Sequence, residues 1–119
     1  MRRARGHWVL LAALLVAGTA SAQVGFGFLA ETPLARFNAD DLKMMNAAIE
    51  KALGAPEPGT PVHWANDQTA SSGEVIPQRA FEHQGRPCRD LRVVNRHRRL
   101  ESSGIYTMCR DNDRWSLTP

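Results

Sequence analysis

Apolar residues follow three rhythms along this chain. Residues 8–17 form an unbroken apolar run of ten. Leu42, Met45, Ile49 and Ala52 then recur at three- and four-residue intervals, the spacing of one helix face. From Val62 onward the apolar residues come in short bursts. Turn-forming stretches at 54–61, 66–73, 84–87 and 111–113 separate them, which is the rhythm of short strands. The second rhythm predicts a helix over 39–53. Asn38 suits its N-cap, and Asp40 and Asp41 sit in the first turn, where the helix dipole favours negative charge. Phe37 and Leu42 occupy the two positions of a hydrophobic staple. Gly54, Pro56 and Pro58 end the helix. The third rhythm predicts strands at 62–65, 74–83, 88–97, 105–110 and 114–117. Short connections favour antiparallel neighbours. The fold expected is therefore α+β: one N-terminal helix packed on a four- or five-stranded antiparallel meander sheet.

The first rhythm reads as a targeting segment. Arg2, Arg3 and Arg5 precede the apolar run, and Ala20, Ser21 and Ala22 supply the small-residue pattern that signal peptidase accepts. Ten apolar residues fall well short of the ~20 a membrane-spanning helix needs. The expectation is a signal peptide over 1–22, cleaved between Ala22 and Gln23, with no membrane span after processing. Residues 23–37 hold glycine, proline and scattered apolar residues without a period and read as a flexible leader, in which Phe26, Phe28 and Leu29 are available to dock. The domain proper is expected over 38–119.

Cleavage changes the charge. The formal +3 of the whole chain resides in the three signal arginines, so the mature 97 residues carry equal numbers of acidic and basic groups. No basic excess is left to neutralise phosphates along a nucleic acid, and nucleic acid is not an expected partner. The balance is local, however. Residues 23–78 carry 3 basic and 7 acidic groups, and residues 79–119 carry 9 arginines against 5 acids.

Two cysteines in an exported chain argue for a bridge. Placing Cys88 directly opposite Cys109 sets the register of two strands. Arg86 then faces Asp111 and Arg96 faces Glu101, both favourable cross-strand combinations. The same register puts Asp90/Thr107 and Arg92/Ile105 on the cysteine face. Leu91/Tyr106, Arg89/Met108 and Val93/Gly104 fall on the other face, which should meet the core. The bridge closes a loop of about 20 residues, worth roughly 3 kcal/mol in the chain-entropy model.

Several short motifs occur in a fixed order: His63-Trp64-Ala65-Asn66, Ser72-Gly73-Glu74-Val75-Ile76-Pro77, Gly85-Arg86-Pro87-Cys88-Arg89, Met108-Cys109-Arg110 and Asp113-Arg114-Trp115. Together they resemble the C-terminal domain of the rickettsial 17-kilodalton surface antigen family, found in envelope proteins of many Gram-negative bacteria. The resemblance spans about residues 38–118. It implies a cell-envelope location, periplasmic or outer-membrane-associated, and no enzymatic activity. The chain departs from the family in lacking a lipidation cysteine and a glycine-rich segment before the domain. It also has Arg98-Arg99 and Asn112-Asp113 where the family pattern has glycine in two late turns.

The chemistry-bearing residues do not form a familiar catalytic set. His63, His83 and His97 lie 20 and 14 residues apart, unlike the tight ligand spacing of zinc sites. Ser71-Ser72-Gly73 lacks the strand-turn-helix setting of a serine nucleophile, and there is no C-x-x-C. Trp64 and Trp115 suit core anchors. Arg89 and Arg110 suit exposed or stem-packed positions beside the bridge. No catalytic residue, metal ligand or cofactor is expected. What stands out is the turn where Arg96, His97, Arg98 and Arg99 crowd together, with Glu101 as the one nearby acid. Such a tip can dock on an envelope protein or an acidic envelope polymer. The expected function is thus a non-catalytic envelope module. The alternative is a periplasmic ligand-binding protein or hydrolase whose site is assembled only in the fold.

Overall fold

The computed structural model of the chain describes residues 31–118. The expected signal peptide, its cleavage point at Ala22 and Gln23, and Phe26, Phe28 and Leu29 lie outside these residues. Within them are a one-turn helix α1 (Pro33–Arg36), a longer helix α2 (Ala39–Leu53), and five strands. The strands are β1 (Val62–Asn66), β2 (Ser71–His83), β3 (Arg86–His97), β4 (Leu100–Asp111) and β5 (Arg114–Leu117). They form one antiparallel sheet in sequence order, as a meander. Among the described residues no helix is long and apolar enough to cross a membrane.

Helix α2 starts as its sequence requires. The Asn38 side chain accepts from the backbone N–H of Asp41, and Asp41 accepts from the backbone N–H of Asn38, a reciprocal capping box. The apolar stripe is rotated from the one expected, however. Asp41, Ala48 and Ala52 are buried, with Met45 and Ile49 half-buried, whereas Leu42 is exposed. An aspartate takes the first core-facing position because the sheet supplies it with hydrogen-bond donors, and a leucine there would leave those donors unmet.

Residues 31–37, which composition places in the leader, belong to the folded unit. Thr32 caps α1, Pro33 is buried, and the Phe37 ring meets Trp64 edge-on at 5.2 Å between centroids. Helix α2 lies across β1 and β2 and reaches β3, while α1 lies against β3 and β4. The core between helix and sheet is built from Ala48, Ala52, Leu53, Trp64, Val75, Leu91 and Val93. Full burial of a side chain such as Leu91 or Val75 stabilises the fold by about 1.5–3 kcal/mol. Gly73 makes room for this arrangement. A Cβ there would lie 2.6 Å from Trp64 Nε1 and 2.5 Å from the Val94 carbonyl oxygen, so the indole crosses β2 over the glycine backbone.

The register of β3 and β4 is the one read from the cysteines. Cys88 pairs with Cys109, Arg86 stands across the sheet from Asp111, and Arg96 pairs with Glu101. The disulfide is formed, with Cα atoms 4.0 Å apart. Leu91 and Val93 are buried on the helix side as expected. The cysteine side is less polar than expected, since Cys88, Cys109 and Val94 are buried too. Strands β2 and β4 begin earlier than their apolar content indicates, at Ser71 and Leu100. A bulge between Pro77 and Ala80 shifts β2 against β3; proline cannot donate to the ladder, and bulges accommodate it. The β3–β4 register is unaffected.

Candidate functional site

The β3–β4 turn is only two residues, Arg98 and Arg99. Arg98 has a φ of 53°, in the left-handed region that L-residues other than glycine and asparagine avoid. Its backbone N–H donates to the Ala70 carbonyl at 3.0 Å, which ties the hairpin tip to the β1–β2 loop. The tip is therefore held against the body of the fold.

Arg36, at the end of α1, arrives beside this turn. Together with His97, Arg98, Arg99 and Leu100 it lines an open hollow of about 630 Å³. The three arginines are exposed and His97 is half-buried. Among the described residues no carboxylate lies within 4.0 Å of the Arg36, Arg98 or Arg99 guanidinium. Two arginines elsewhere on the sheet are paired, Arg79 with Asp90 at 3.3 Å and Arg86 with Asp111 at 2.9 Å, whereas Arg92, Arg110 and Arg114 are exposed and, among the described residues, have no carboxylate within 4.0 Å. Arg96, expected at the docking tip, belongs with the paired two. Its guanidinium reaches Glu74 at 3.4 Å and Glu101 at 3.6 Å, so its charge is balanced within the sheet. The structure thus gathers His97, Arg98 and Arg99, pairs Arg96 with acids of the sheet, and adds Arg36. Arg36 is some sixty residues away in sequence, and no local pattern signals the approach.

His97 is anchored from behind. Its Nδ1 lies 2.8 Å from Ser71 Oγ. Ser71 is buried and interacts in turn with Asp41. Asp41 is fully buried, accepting from Asn66 Nδ2 at 2.8 Å, Thr69 Oγ1 at 2.7 Å and the Asn38 backbone N–H at 3.0 Å. Burial alone pushes the Asp41 carboxyl up. The hydrogen bonds from Asn38, Thr69, Asn66 and Ser71 outweigh that and hold it below its ordinary value, so it is a carboxylate. Asp41, Ser71 and His97 resemble the membership of a hydrolytic triad but not its order. The serine sits between acid and imidazole and is 2% exposed, so a substrate carbonyl has no approach to Oγ.

The remaining candidates have structural places. Arg89 is buried and donates to the carbonyls of Leu53, Ala55 and Gln78, so it clamps the C-terminal end of α2 to the sheet. It is neither exposed nor merely stem-packed. Arg110 lies over the Trp115 ring at 5.8 Å. His63 faces Glu74 at 3.6 Å. Among the described residues no group of three or more His, Cys, Asp and Glu side chains converges as a metal site would. A second concavity, of about 320 Å³ between α2 and the sheet, is lined mainly by apolar side chains, with Asn46 and Asn95 among them.

Comparison with family models, with curated proteins and with solved structures finds no match for this chain.

Proposed function

We propose that this chain is a non-catalytic protein of the cell envelope, exported by the segment ending at Ala22, and that its arginine-lined hollow retains it on an acidic envelope polymer. The observation that carries the reading is the convergence of Arg36, Arg98 and Arg99 on one hollow, with no carboxylate at salt-bridge distance among the described residues. Arg79, Arg86 and Arg96 are each neutralised by an acid, and the exposed Arg92, Arg110 and Arg114, which have no acid at that distance among the described residues, do not line this hollow. Concentrated, unbalanced charge on an exposed tip attracts a polyanion at long range. The left-handed backbone of Arg98 adds support, since a charged side chain occupies a position where glycine or asparagine costs less. The envelope assignment rests on the signal pattern and on the resemblance to the surface antigen domain.

The test is retention of the processed protein on envelope material. Arg98→Ser together with Arg99→Ser should release it. Wild-type retention should weaken as salt is raised, because exposed charges are screened beyond ~10 Å at 0.1 M. Retention of the double variant at every salt concentration would refute the docking reading. Release by protease treatment of the envelope, rather than by its polymer-degrading enzymes, would assign the partner to a protein instead. Export is checked by N-terminal sequencing of the envelope fraction, expected to begin at Gln23.

A further inference from the structure

Helix α2 lies across β1 and β2, and the same face of the sheet is only partly covered over β4 and β5. The apolar groove of about 320 Å³ lies there. Tyr106, Met108 and Leu117 line it from the two strands, Met45 and Ile49 from α2, and Leu34 from α1. Tyr106 is 47% exposed and Leu117 63%, so the groove keeps apolar surface in water. Asn95 also lines it. That residue is 9% exposed, and its side-chain oxygen meets no hydrogen-bond donor among the described residues. A buried acceptor without a donor is costly, so the groove calls for an occupant that is apolar and carries an N–H.

The chain leading into α1 has both properties. Leu34 stands three residues after the first described one, Glu31, so the preceding segment is tethered at the α1 end of the groove. Residues 23–37 have no period as a whole, but Val24, Phe26 and Phe28 alternate with Gly25 and Gly27. In an extended chain that alternation gathers the apolar side chains on one face and leaves bare backbone on the other. Residues 23–30 carry no charge, so burying them costs no ion its water. Length agrees as well. From Asn95 to Arg89, which pairs with Met108 at the far end of the groove, is about 20 Å of strand. Residues 24–29 span about the same 20 Å when extended. Tethering holds the segment at an effective concentration of about millimolar, which a second copy in dilute solution does not reach.

We propose that residues 24–29 lie extended in this groove, with Phe26 and Phe28 on its apolar lining and a backbone N–H serving Asn95. The N-terminal segment of the mature chain then completes the domain, and its aromatic rings are not offered to an outside partner. This goes beyond the retention reading, which concerns the arginine-lined hollow and stands or falls separately.

The experiment uses the mature chain, beginning at Gln23 and labelled at its methionine methyl groups. Nuclear Overhauser contacts are expected from the Phe26 and Phe28 rings to the Met45 and Met108 methyls, unchanged on dilution. Mixed labelled and unlabelled chains should show no such contact between molecules. Leu117→Asp puts a charge at an exposed position of the groove, where the fold tolerates it. It should expel the segment: the contacts vanish, and chymotrypsin cuts after Phe26 and Phe28 about ten-fold faster, the factor expected when one buried apolar contact is lost. Phe26→Ser with Phe28→Ser alters no described residue and should shift both methyl signals. Absence of ring-to-methyl contacts in the wild type overturns the proposal. So do contacts that form only between chains, which assign the groove to a second copy. A cleavage rate untouched by Leu117→Asp, or methyl signals unmoved by the double phenylalanine variant, overturns it too.

Discussion

The side-chain amide of Asn66 donates to Oδ1 of Asp41 over 2.8 Å, joining the end of β1 to the first turn of α2. Thr69 donates to the same oxygen, and the Asn38 backbone N–H takes the other. One carboxylate thus caps the helix from inside and fastens it to the sheet. Its position near the helix N-terminus suits the dipole.

This network makes stability depend on pH in a definite direction. The folded Asp41 carboxyl is held below its ordinary value of 3.8, so the unfolded chain takes up the proton more readily. The contribution is fully present above that value and is lost as pH falls through the folded value. Asp41→Asn removes the charge that strengthens these bonds and should destabilise the fold by about 1.5–3 kcal/mol at neutral pH. The gap between wild type and variant should shrink as the pH is lowered from about 5 to below 3. Urea midpoints measured across that range check it; a gap that widens on acidification contradicts the assignment.

The opposite end of α2 depends on Arg89. Its guanidinium serves three carbonyl oxygens, those of Leu53, Ala55 and Gln78, and places a cation at the negative end of the helix. Arg89→Met keeps the stem and removes the donors. The expected loss is about 2–3 kcal/mol, because hydrogen bonds to a charged group disappear and their acceptors lose their partner. Arg89→Lys should cost less, since an ammonium can still reach one carbonyl but cannot span the set. Amide exchange in the last turn of α2 should quicken in Arg89→Met before exchange in the β3–β4 ladder does.

Gly73 tests the packing of the tryptophan. The Cβ of Gly73→Ala meets backbone, the Val94 carbonyl, as well as the Trp64 ring, so neither strand can yield without breaking the ladder. Overpacking of this kind costs about 1–3 kcal/mol. A lower melting temperature with a changed near-ultraviolet circular dichroism signal from Trp64 is expected. An unchanged spectrum would mean that the indole does not lie over this residue.

The sequence was most legible where two constraints coincided. The Cys88–Cys109 pairing agrees with the Arg96–Glu101 charge match, and together they allow one register; the capping residues and Gly54 likewise bound α2 at both ends. Legibility failed where a residue's role depends on a distant partner. Asp41 reads only as a first-turn acid that suits the helix dipole, because Asn66 and Thr69, which bind it in the core, follow a long way downstream. Arg89 looked like a flanking cation because the carbonyls it serves belong to α2 and the segment after it. Ser71-Ser72-Gly73 read as a turn on composition, yet these small residues are strand because bulky ones, Trp64 above all, need the space. At the candidate site, Arg98 and Arg99 were visible as a charge run. Arg36 was not, because α1 brings it there.

The turn offers a test that separates stability from binding. Arg98 sits at a φ of 53°, a conformation that costs an ordinary L-residue about 1–2 kcal/mol and asparagine less. Arg98→Asn should therefore raise stability, by up to about 1 kcal/mol, because asparagine accepts the left-handed backbone without glycine's extra unfolded-state freedom. The hydrogen bond from its N–H to the Ala70 carbonyl is kept, since it is made by the backbone. The same substitution removes one of the three guanidinium groups that line the hollow and should weaken retention on envelope material. Urea denaturation and the retention assay, run on one preparation, give the two answers together. A variant that is more stable and less well retained identifies Arg98 as a residue kept for its charge against the preference of the backbone. If stability falls while retention is unchanged, the arginine serves the turn itself, and the case for the hollow loses one of its two supports.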